Sequence, residues 1–262
     1  MPESDALAHA VCAIAAEAGA LAMARWRTDF RRWEKSPGNP VCDVDLEVNQ
    51  LLRERLSALL PDAGWLSEET VDNAERLSRR RLWVVDPIDG TRDYLRGREG
   101  WAVSVALVED EQPRIGVLAA PARKERWHAV AGRGAFRNDA QLTAGSRSEI
   151  VGARVPAESL AKADRDLITV PKPNSIALRI GMVAADEADL VATLRWGHEW
   201  DIAAATLIAR EAGASITDAL GRKLRFNTPD GDAFGILATA PAIHDAAVAR
   251  LETRAKEQIR QR

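Results

Sequence analysis

The chain has 262 residues, of which 46% are hydrophobic, enough for one large domain or two closely packed domains. Its formal net charge of -3 and pI of about 5.9 argue against a surface for a nucleic acid polymer, which needs a clustered basic face. Two cysteines are too few for a disulfide framework or a zinc site and are typical of a reducing compartment, so we expect a cytoplasmic protein.

The N-terminal residues predict an amphipathic helix near 5–27. The apolar stretch from Leu7 to Ala24 is interrupted by His9, Glu17 and Gly19 and lacks the basic start of a signal peptide. No apolar span of eighteen residues is evident in the sequence, so we expect no membrane segment.

Apolar periodicity predicts both helices and strands along the rest of the chain. We expect helices near 43–60, 175–185 and 201–213 and one from 243, and strands near 64–67, 82–86, 101–108, 114–119, 126–130, 167–170, 214–218 and 234–239. In the third strand, Val103, Val105 and Leu107 alternate with smaller residues, as in a half-buried sheet. No low-complexity linker interrupts the chain, so we expect two packed lobes, residues 1–147 and 148–262, with a cleft between them.

Residues 83–94 read WVVDPIDGTRDY and carry the most informative pattern in the chain. An apolar run with the bias of a buried strand stops at two acids, Asp86 and Asp89, which flank a proline. We expect Pro87 to end the strand and the following Gly-Thr pair to open a helix. Both acids would then lie at the end of one strand.

Two carboxylates in such a place repel each other strongly unless a cation lies between them, and oxygen ligands of this kind suit Mg²⁺. An Asp-x-Asp-Gly-Thr spacing would instead indicate the covalent aspartate of haloacid-dehalogenase phosphatases. The acids here are three positions apart and converge across a proline turn, which favours metal binding. A surface turn with solvated acids is the structural alternative, because Asp-Pro and Asp-Gly are common turn pairs.

Further acids follow apolar segments elsewhere in the chain. Residues 66–69 read LSEE, and residues 199–201 read EWD at the start of a predicted helix that ends at Gly213. For Asp201 the structural alternative is the N-cap of that helix.

These motifs together carry a family resemblance. The chain resembles, from Lys35 to about residue 240, the lithium-sensitive, magnesium-dependent phosphatase superfamily that contains inositol monophosphatase, fructose-1,6-bisphosphatase and the bacterial 3'(2'),5'-bisphosphate nucleotidases. The LSEE and EWD motifs and the stretch DPIDGTRDYLRGREGWAVSVAL (residues 86–107) are most similar to the nucleotidase branch. The resemblance implies a layered α/β/α/β/α sandwich, within the α+β or α/β class.

The resemblance also implies a metal centre. The expected ligands of two or three Mg²⁺ ions, for which Mn²⁺ can substitute, are the side chains of Glu68, Asp86, Asp89 and Asp201 and the backbone carbonyl of Ile88. Thr91 and Glu68 are expected to orient and help deprotonate the attacking water, without a phosphoenzyme. The backbone amides of Gly90 and Thr91 are expected to bind phosphate at a helix N-terminus.

Two upstream residues complete the implied site. Asp45 matches an aspartate associated with a weakly bound third metal and with water activation, and Lys35 lies where the family has a lysine. Cys42 replaces the usual threonine, which is expected to remove a hydroxyl hydrogen bond near Asp45. As alternatives, Lys35 is a solvated loop residue, and Asp43 or Asp45 only caps the following helix.

Substrate recognition is expected in the second lobe. A nucleotide with phosphates at both the 3' and 5' positions needs a cation for the phosphate that is not cleaved. Arg179, Arg195 and Lys172 are the candidates, with Ser175 at a turn beside them, and an exposed structural charge is the alternative for each cation. Leu194 stands where inositol monophosphatases place an acid for the polyol, which argues against inositol phosphate.

We therefore predict a phosphomonoesterase that removes the 3'-phosphate of 3'-phosphoadenosine 5'-phosphate to give AMP, in sulfur metabolism and with sensitivity to lithium. One alternative is an inositol 1-phosphatase, or a related sugar or histidinol phosphatase, on the same metal site. Another is a phosphate-binding regulator without turnover, against which the intact acid set argues. The expected partner is a small phosphorylated substrate, and the resemblance implies a homodimer.

Overall fold

Apolar side chains cover both faces of the central strand that carries the WVVDPIDGTRDY motif. Leu82 and Val84 face one hydrophobic core, and Trp83 and Val85 face another, because successive side chains of a strand point to opposite faces. The neighbouring strand is buried throughout residues 102–108. The expectation of a half-buried sheet is therefore wrong, because helices cover both faces of this sheet.

The computed structural model of the chain describes the backbone of residues 2–260 and the side chains of residues 5–38 and 40–260. Its α-helices are α1 (Pro2–Arg25), α2 (Asp43–Leu59), α3 (Thr91–Leu95), α4 (Ile176–Ala184), α5 (Glu199–Glu211) and α6 (His244–Ile259). Its strands are β1 (Arg32–Ser36), β2 (Asn39–Cys42), β3 (Gly64–Ser67), β4 (Arg81–Asp89), β5 (Ala102–Glu109), β6 (Gln112–Ala120), β7 (Glu125–Val130), β8 (Ala135–Arg137), β9 (Ala140–Gln141), β10 (Arg154–Pro156), β11 (Ile168–Val170), β12 (Leu190–His198), β13 (Ser215–Thr217) and β14 (Asp232–Thr239).

The layers follow from how these elements pack. Within residues 2–260, β3 to β9 form a seven-stranded sheet in chain order, and a three-stranded sheet has the order β12-β14-β13. Helices α1 and α2 pack on one face of the large sheet, α4 and α5 lie between the two sheets, and α6 covers the small sheet from outside. This arrangement confirms the predicted α/β/α/β/α sandwich. The lobe boundary near residue 147 falls between β9 and β10 and stays a prediction.

Helix α5 lies very close to the large sheet. A Cβ atom on Gly116 of β6 would lie 2.6 Å from the carbonyl oxygen of Ala204, so only glycine fits at this crossing. The close approach places the start of α5, with Asp201, against the strands next to β4.

Strand β4 continues through Pro87 to Asp89, so the expectation that proline ends the strand is wrong. Its pairing with β5 shifts between Asp86, which lies opposite Ser104, and Asp89, which lies opposite Ala102. Pro87 lies inside this irregularity, where the missing N–H group breaks no regular ladder.

Six of the described strands were not predicted from the sequence, namely β1, β2, β8, β9, β10 and β12. The β1–β2 hairpin lacks an apolar pattern, because all five residues of β1 are exposed. Strand β12 pairs with β14 through a register shift between Thr193 and Trp196, which breaks the period of two.

Helix α1 buries one face in the core beneath the large sheet. The buried residues recur at intervals of three and four, at Ala8, Val11, Ala15, Ala18 and Ala22. Among the described residues, one helix, Asp5–Arg25, is long and apolar enough to cross a membrane by length and composition. The expectation that the chain lacks an apolar span of this length is wrong, although a buried face of this kind is typical of a core helix.

Candidate active site

Three carboxylates from β4 and α5 converge on one point. Oxygen atoms of Asp86, Asp89 and Asp201 all lie within 4.8 Å of one another. The bulge in β4 turns both of its acids toward α5, and Asp86 Oδ1 accepts a hydrogen bond of 2.9 Å from the amide of Ile88. The three acids come from two elements that are distant in the sequence, so folding alone assembles the cluster.

Asp201 is the third residue of α5 and not its N-cap, but its carboxylate closes a capping box with the N-cap residue, so it caps the helix from the third position. The N-cap is His198, whose backbone N–H donates to Asp201 Oδ2 at 3.2 Å. The bond holds the carboxylate beside the start of the helix, where the positive end of the helix dipole favours a negative charge.

Burial raises the pKa of all three carboxyls. The negative charges of Glu68, Asp89 and Asp201 raise the pKa of Asp86 further, and those of Asp89 and Glu68 do the same for Asp201. Burial is also the largest influence on Asp89, although hydrogen bonds from the start of α4 oppose it. A buried set of oxygen donors with excess negative charge fits a hard divalent cation, which would bring the pKa values down again.

Glu68 lies beside the cluster and is held by Lys35. The Nζ atom of Lys35 lies 2.9 Å from Glu68 Oε1 and 2.6 Å from Glu69 Oε1. Because Lys35 belongs to β1, these ion pairs dock the β1–β2 hairpin on the segment that follows β3. Lys35 is therefore an ion-paired residue of a strand, with a side chain that stays partly exposed to solvent, and not a loop lysine.

Asp45 is held by Cys42 at the start of α2. Both the amide and the thiol of Cys42 donate to Asp45 Oδ2 at 2.9 Å, so a thiol hydrogen bond takes the place of the hydroxyl bond that a threonine would make. Cys42 is the N-cap of the helix, and Asp45 closes a capping box with it from the third position, so Asp45 does cap the helix, as the structural alternative proposed. Burial raises the pKa of Asp45 to about 7.

Thr91 connects Asp45 to β4. Its Oγ1 atom donates to the carbonyl of Ile88 at 2.9 Å and lies 3.4 Å from Asp45 Oδ1. The structure thus places Thr91 between a carboxylate and one of the backbone oxygens expected to bind metal.

Gly90 adopts a left-handed backbone conformation, with φ of 96°, immediately before α3. A Cβ atom there would lie 2.6 Å from the carbonyl oxygen of Gly100 and 2.9 Å from the amide nitrogen of Ser175. The glycine is therefore required by the packing of the chain itself. Helix α3 has only five residues, so the helix dipole expected at this point is small.

Ser175 contacts Asp89. Its hydroxyl donates to Asp89 Oδ2 at 2.5 Å and accepts from the amide of Leu178 at 2.9 Å, and the residue is fully buried. These bonds give Ser175 a structural place behind the cluster, in contrast to the substrate contact expected for it.

The three candidate cations lie in different places. Arg179 donates to the backbone carbonyls of Ser175 and Asn174 at 3.2 Å each and lies near the charges of the cluster. Arg195 lines a cleft together with Asp201. Lys172 lines a different depression and is not brought to the cluster.

Two buried charges at the site were missed in the sequence. Arg76 is 2% exposed, and Glu199 is fully buried. Arg76 follows a polar turn, and nothing in the sequence indicates its burial, whereas Glu199 stands in the EWD motif, two positions before Asp201.

Fold and site together define a phosphatase with a cluster of carboxylates suited to metal. The family model described as the inositol monophosphatase family matches residues 3–256, and the chain belongs to this family. This result confirms the superfamily inferred from the motifs.

Individual relatives differ in their names. One from Streptomyces griseus, named glucose-1-phosphate thymidylyltransferase, is 38% identical over 200 residues, covering 71% of this chain and 76% of its own. A histidinol-phosphatase from Mycobacterium tuberculosis is 32% identical over 239 residues, 85% and 88% of the two chains. The 3'(2'),5'-bisphosphate nucleotidase CysQ of Aggregatibacter actinomycetemcomitans is 32% identical over 207 residues, 74% and 77% of the two chains.

The solved structure of a Thermotoga maritima inositol monophosphatase matches with a TM-score of 0.81 at 27% identity, covering 94% of this chain and 97% of that one. The family and the structural match support a phosphatase, and the names of the relatives span several substrates.

Proposed function

We propose that the protein is a magnesium-dependent phosphomonoesterase that hydrolyses the 3'-phosphate of 3'-phosphoadenosine 5'-phosphate to give AMP. The observation that carries the proposal is the convergence of Asp86, Asp89 and Asp201 within 4.8 Å, with Arg179 and Arg195 close by. Carboxylates of this kind suit the metal, and arginines suit a second phosphate group.

The metal ligands are proposed from the same geometry. Two or three Mg²⁺ ions, or Mn²⁺ in their place, would be held by the side chains of Glu68, Asp86, Asp89 and Asp201 and the carbonyl of Ile88. When bound, the ions supply positive charge that neutralises phosphate oxygens and lowers the pKa of water.

Residues of the chain position the attacking water. Thr91 Oγ1 directs its proton to the Ile88 carbonyl, which leaves a lone pair to accept a hydrogen bond from water. Glu68 takes the proton of that water, and Asp45, whose Oδ1 atom lies 3.4 Å from Thr91 Oγ1, is a second acceptor. The water oxygen bonds to phosphorus as the bond to the 3' oxygen breaks, and that oxygen takes a proton from a solvent water molecule.

The phosphate groups are assigned to different parts of the site. The backbone amides of Gly90 and Thr91 bind the phosphate that is cleaved, as hydrogen-bond donors. Arg179 and Arg195 bind the 5'-phosphate, which needs a cation of its own. Lys172 is left out of this assignment because it lines a different depression.

A second candidate substrate is histidinol phosphate, which the relative from Mycobacterium tuberculosis favours. Its ammonium group would need an acid that does not bind metal, whereas the acid that lines the cleft beside Arg195 is the proposed metal ligand Asp201. Leu194 packs in the hydrophobic clusters beneath α6 and does not line this cleft, so the argument against a polyol that the sequence placed on it is not supported. The positive charge of Arg195 in the cleft favours the doubly phosphorylated nucleotide.

The remaining parts of the proposal follow from this activity. The enzyme would act in the cytoplasm, in sulfur metabolism, and lithium would inhibit it by competing for a magnesium position. The homodimer implied by the resemblance stays a prediction.

The test is phosphate release in Mg²⁺ from 3'-phosphoadenosine 5'-phosphate, inositol 1-phosphate and histidinol phosphate at equal concentrations, with Asp89→Asn as the blank. We expect the nucleotide to have the highest kcat/KM, and Arg195→Met to lower it about tenfold or more while leaving inositol phosphate unchanged. A preference for either other ester would overturn the substrate, and no release from any of them would favour a binding protein. Trapping of beryllium fluoride on Asp86 would revive the covalent mechanism.

A further inference from the structure

Two buried charges of opposite sign lie outside the carboxylate cluster, on two segments that carry its acids. Arg76 lies in the 3₁₀ helix Ala74–Ser78, eight positions after Glu68. Glu199 is the first residue of α5, two positions before Asp201. Burying such charges is costly unless each is fully hydrogen-bonded, so their partners indicate what they hold in place.

Arg76 bonds to two different segments. Its guanidinium binds Asp72 with two bonds, from Nε at 2.7 Å and from Nη2 at 2.8 Å. It also donates from Nη1 to Asn227 Oδ1 at 2.7 Å and from Nη2 to the carbonyl of Pro229 at 3.2 Å. The bonds to Asn227 and Pro229 join positions about 150 residues apart, and they fix the turn at 227–231 on the segment that follows β3.

Glu199 holds the same turn from the opposite side. Its carboxylate accepts bonds from the amide of Asn227 at 2.6 Å, from the amide of Thr228 at 2.7 Å and from the hydroxyl of Thr228 at 2.6 Å. Its own amide donates to the carbonyl of Gly231 at 2.9 Å. Asn227, between the two charges, has a φ of 67°, a conformation that favours glycine and that these bonds stabilise here.

We propose that Arg76 and Glu199 are positioning residues of the metal centre, acting through residues 227–231, which we call the clamp segment. The clamp segment joins the chain that presents Glu68 to the first turn of α5, which presents Asp201. The separation of these two acids across the centre therefore depends on the clamp segment. The inference rests on the proposed function only in assigning the acids to metal.

The test is calorimetric titration of the full chain with Mn²⁺ and with Mg²⁺, because metal binding can be measured whether or not any ester is hydrolysed. The variants are Arg76→Lys, which keeps the charge but loses the forked contacts, and Glu199→Gln, which keeps the shape but turns an amide toward backbone donors. We expect each variant to weaken metal binding about tenfold or more, the factor that partners of metal ligands commonly contribute.

The matched control is Arg250→Lys. Arg250 also forms multiple bonds, to Asp164, Asp166 and the carbonyl of Ala163, but it lies on α6, outside the carboxylate cluster. We expect it to lower the thermal midpoint without changing metal affinity. A simple loss of stability would give all three variants the same behaviour.

Thr228→Val keeps the proposal testable if Arg76→Lys or Glu199→Gln does not fold. It removes one hydrogen bond to Glu199 and conserves side-chain volume, and we expect a weakening of about threefold to tenfold. The proposal would be overturned if the clamp variants fold and bind metal with wild-type affinity. It would also be overturned if Arg250→Lys loses as much metal affinity as they do, or if the wild-type chain binds no metal. A wild-type chain that binds metal but hydrolyses no ester would overturn the proposed function and leave the clamp to be judged by affinity alone.

Discussion

The hydroxyl of Ser175 donates a hydrogen bond of 2.5 Å to Asp89 Oδ2 while it accepts one of 2.9 Å from the amide of Leu178. One oxygen therefore both caps helix α4 and orients a carboxylate at the end of β4. Asp89 also accepts bonds from the amides of Ile176 at 3.3 Å and Ala177 at 2.8 Å. The proposed metal ligand thus lies at the N-terminus of a nine-residue helix that packs beneath the site.

Replacing Ser175 with alanine is expected to weaken the start of helix α4 and to remove one hydrogen-bond donor from the buried carboxylate of Asp89. Loss of an N-cap costs about 1 kcal/mol, and loss of a donor to a buried acceptor costs about 1–3 kcal/mol. We expect the free energy of unfolding, measured by urea titration in EDTA, to fall by about 2–4 kcal/mol. Ser78→Ala, at an exposed serine, is the control, and an equally small loss in both variants would contradict the role given to Ser175.

Gly90→Ala is expected to destabilise the protein more than the same substitution at a left-handed glycine that has empty space around it. The new Cβ atom would meet the carbonyl of Gly100 at 2.6 Å, in addition to the strain of a φ of 96°. Gly213→Ala has the same kind of strain, with a φ of 87°, but has no atom within 4 Å. We expect about 1–2 kcal/mol of destabilisation at Gly213 and clearly more at Gly90. Equal thermal midpoints for the two variants would argue against the close packing at Gly90.

The metal-free protein is expected to lose stability as pH rises. Burial raises the pKa of Asp45 from 3.8 to about 7, and it raises the pKa of Asp86, Asp89 and Asp201 in the same direction. Such a carboxyl binds more protons in the folded state than in the unfolded state. Its stabilising contribution is therefore complete below the unfolded value near 4 and is lost as pH rises through the folded value.

Urea titrations between about pH 4 and 8, in EDTA and in excess Mg²⁺, measure this effect. We expect a decline in EDTA that Mg²⁺ largely removes, because the ion favours the charged carboxylates. Asp201→Asn should reduce the decline in EDTA. Identical pH dependence with and without metal would show that these carboxyls do not bind it.

Cys42 is expected to act as a hydrogen-bond donor and not as a reactive thiol. Its thiol supports Asp45, and burial raises its pKa. Cys42→Thr should keep kcat within about twofold, whereas Cys42→Val should lower kcat about tenfold, because one bond to a buried carboxylate contributes roughly 1–3 kcal/mol. The pH profile of kcat should shift upward in Cys42→Val only. Equal kcat in the valine and threonine variants would remove Asp45 from the mechanism.

The family resemblance implied the layered fold, and the local pattern of residues 83–94 predicted the two acids at the end of β4. A buried strand, a proline and two acids lie within seven residues, and the EWD motif marks the start of α5. The contacts that organise the site are not local. Ser175 meets Asp89 across 86 positions, and Arg76 meets Asn227 across 151. No periodicity in a single sequence encodes such pairs.

The errors at Pro87 and Asp201 have a similar origin. Each residue was assigned from its strongest local preference, as a strand terminator and as the N-cap of a helix. The fold instead accommodates Pro87 in a bulge and begins α5 two residues before Asp201. In both cases tertiary packing decided where the element ends or begins. With these boundaries, the carboxylates of β4 and α5 lie close together.

The most direct measurement is phosphate release from 3'-phosphoadenosine 5'-phosphate by the wild-type chain and by Asp201→Asn, each with Mg²⁺ and with EDTA. The account predicts release by the wild type in Mg²⁺ alone and a loss of about a thousandfold or more in the variant, a barrier increase of about 4 kcal/mol. Release that persists in EDTA, or that Asp201→Asn leaves unchanged, would contradict a reaction carried by this carboxylate cluster.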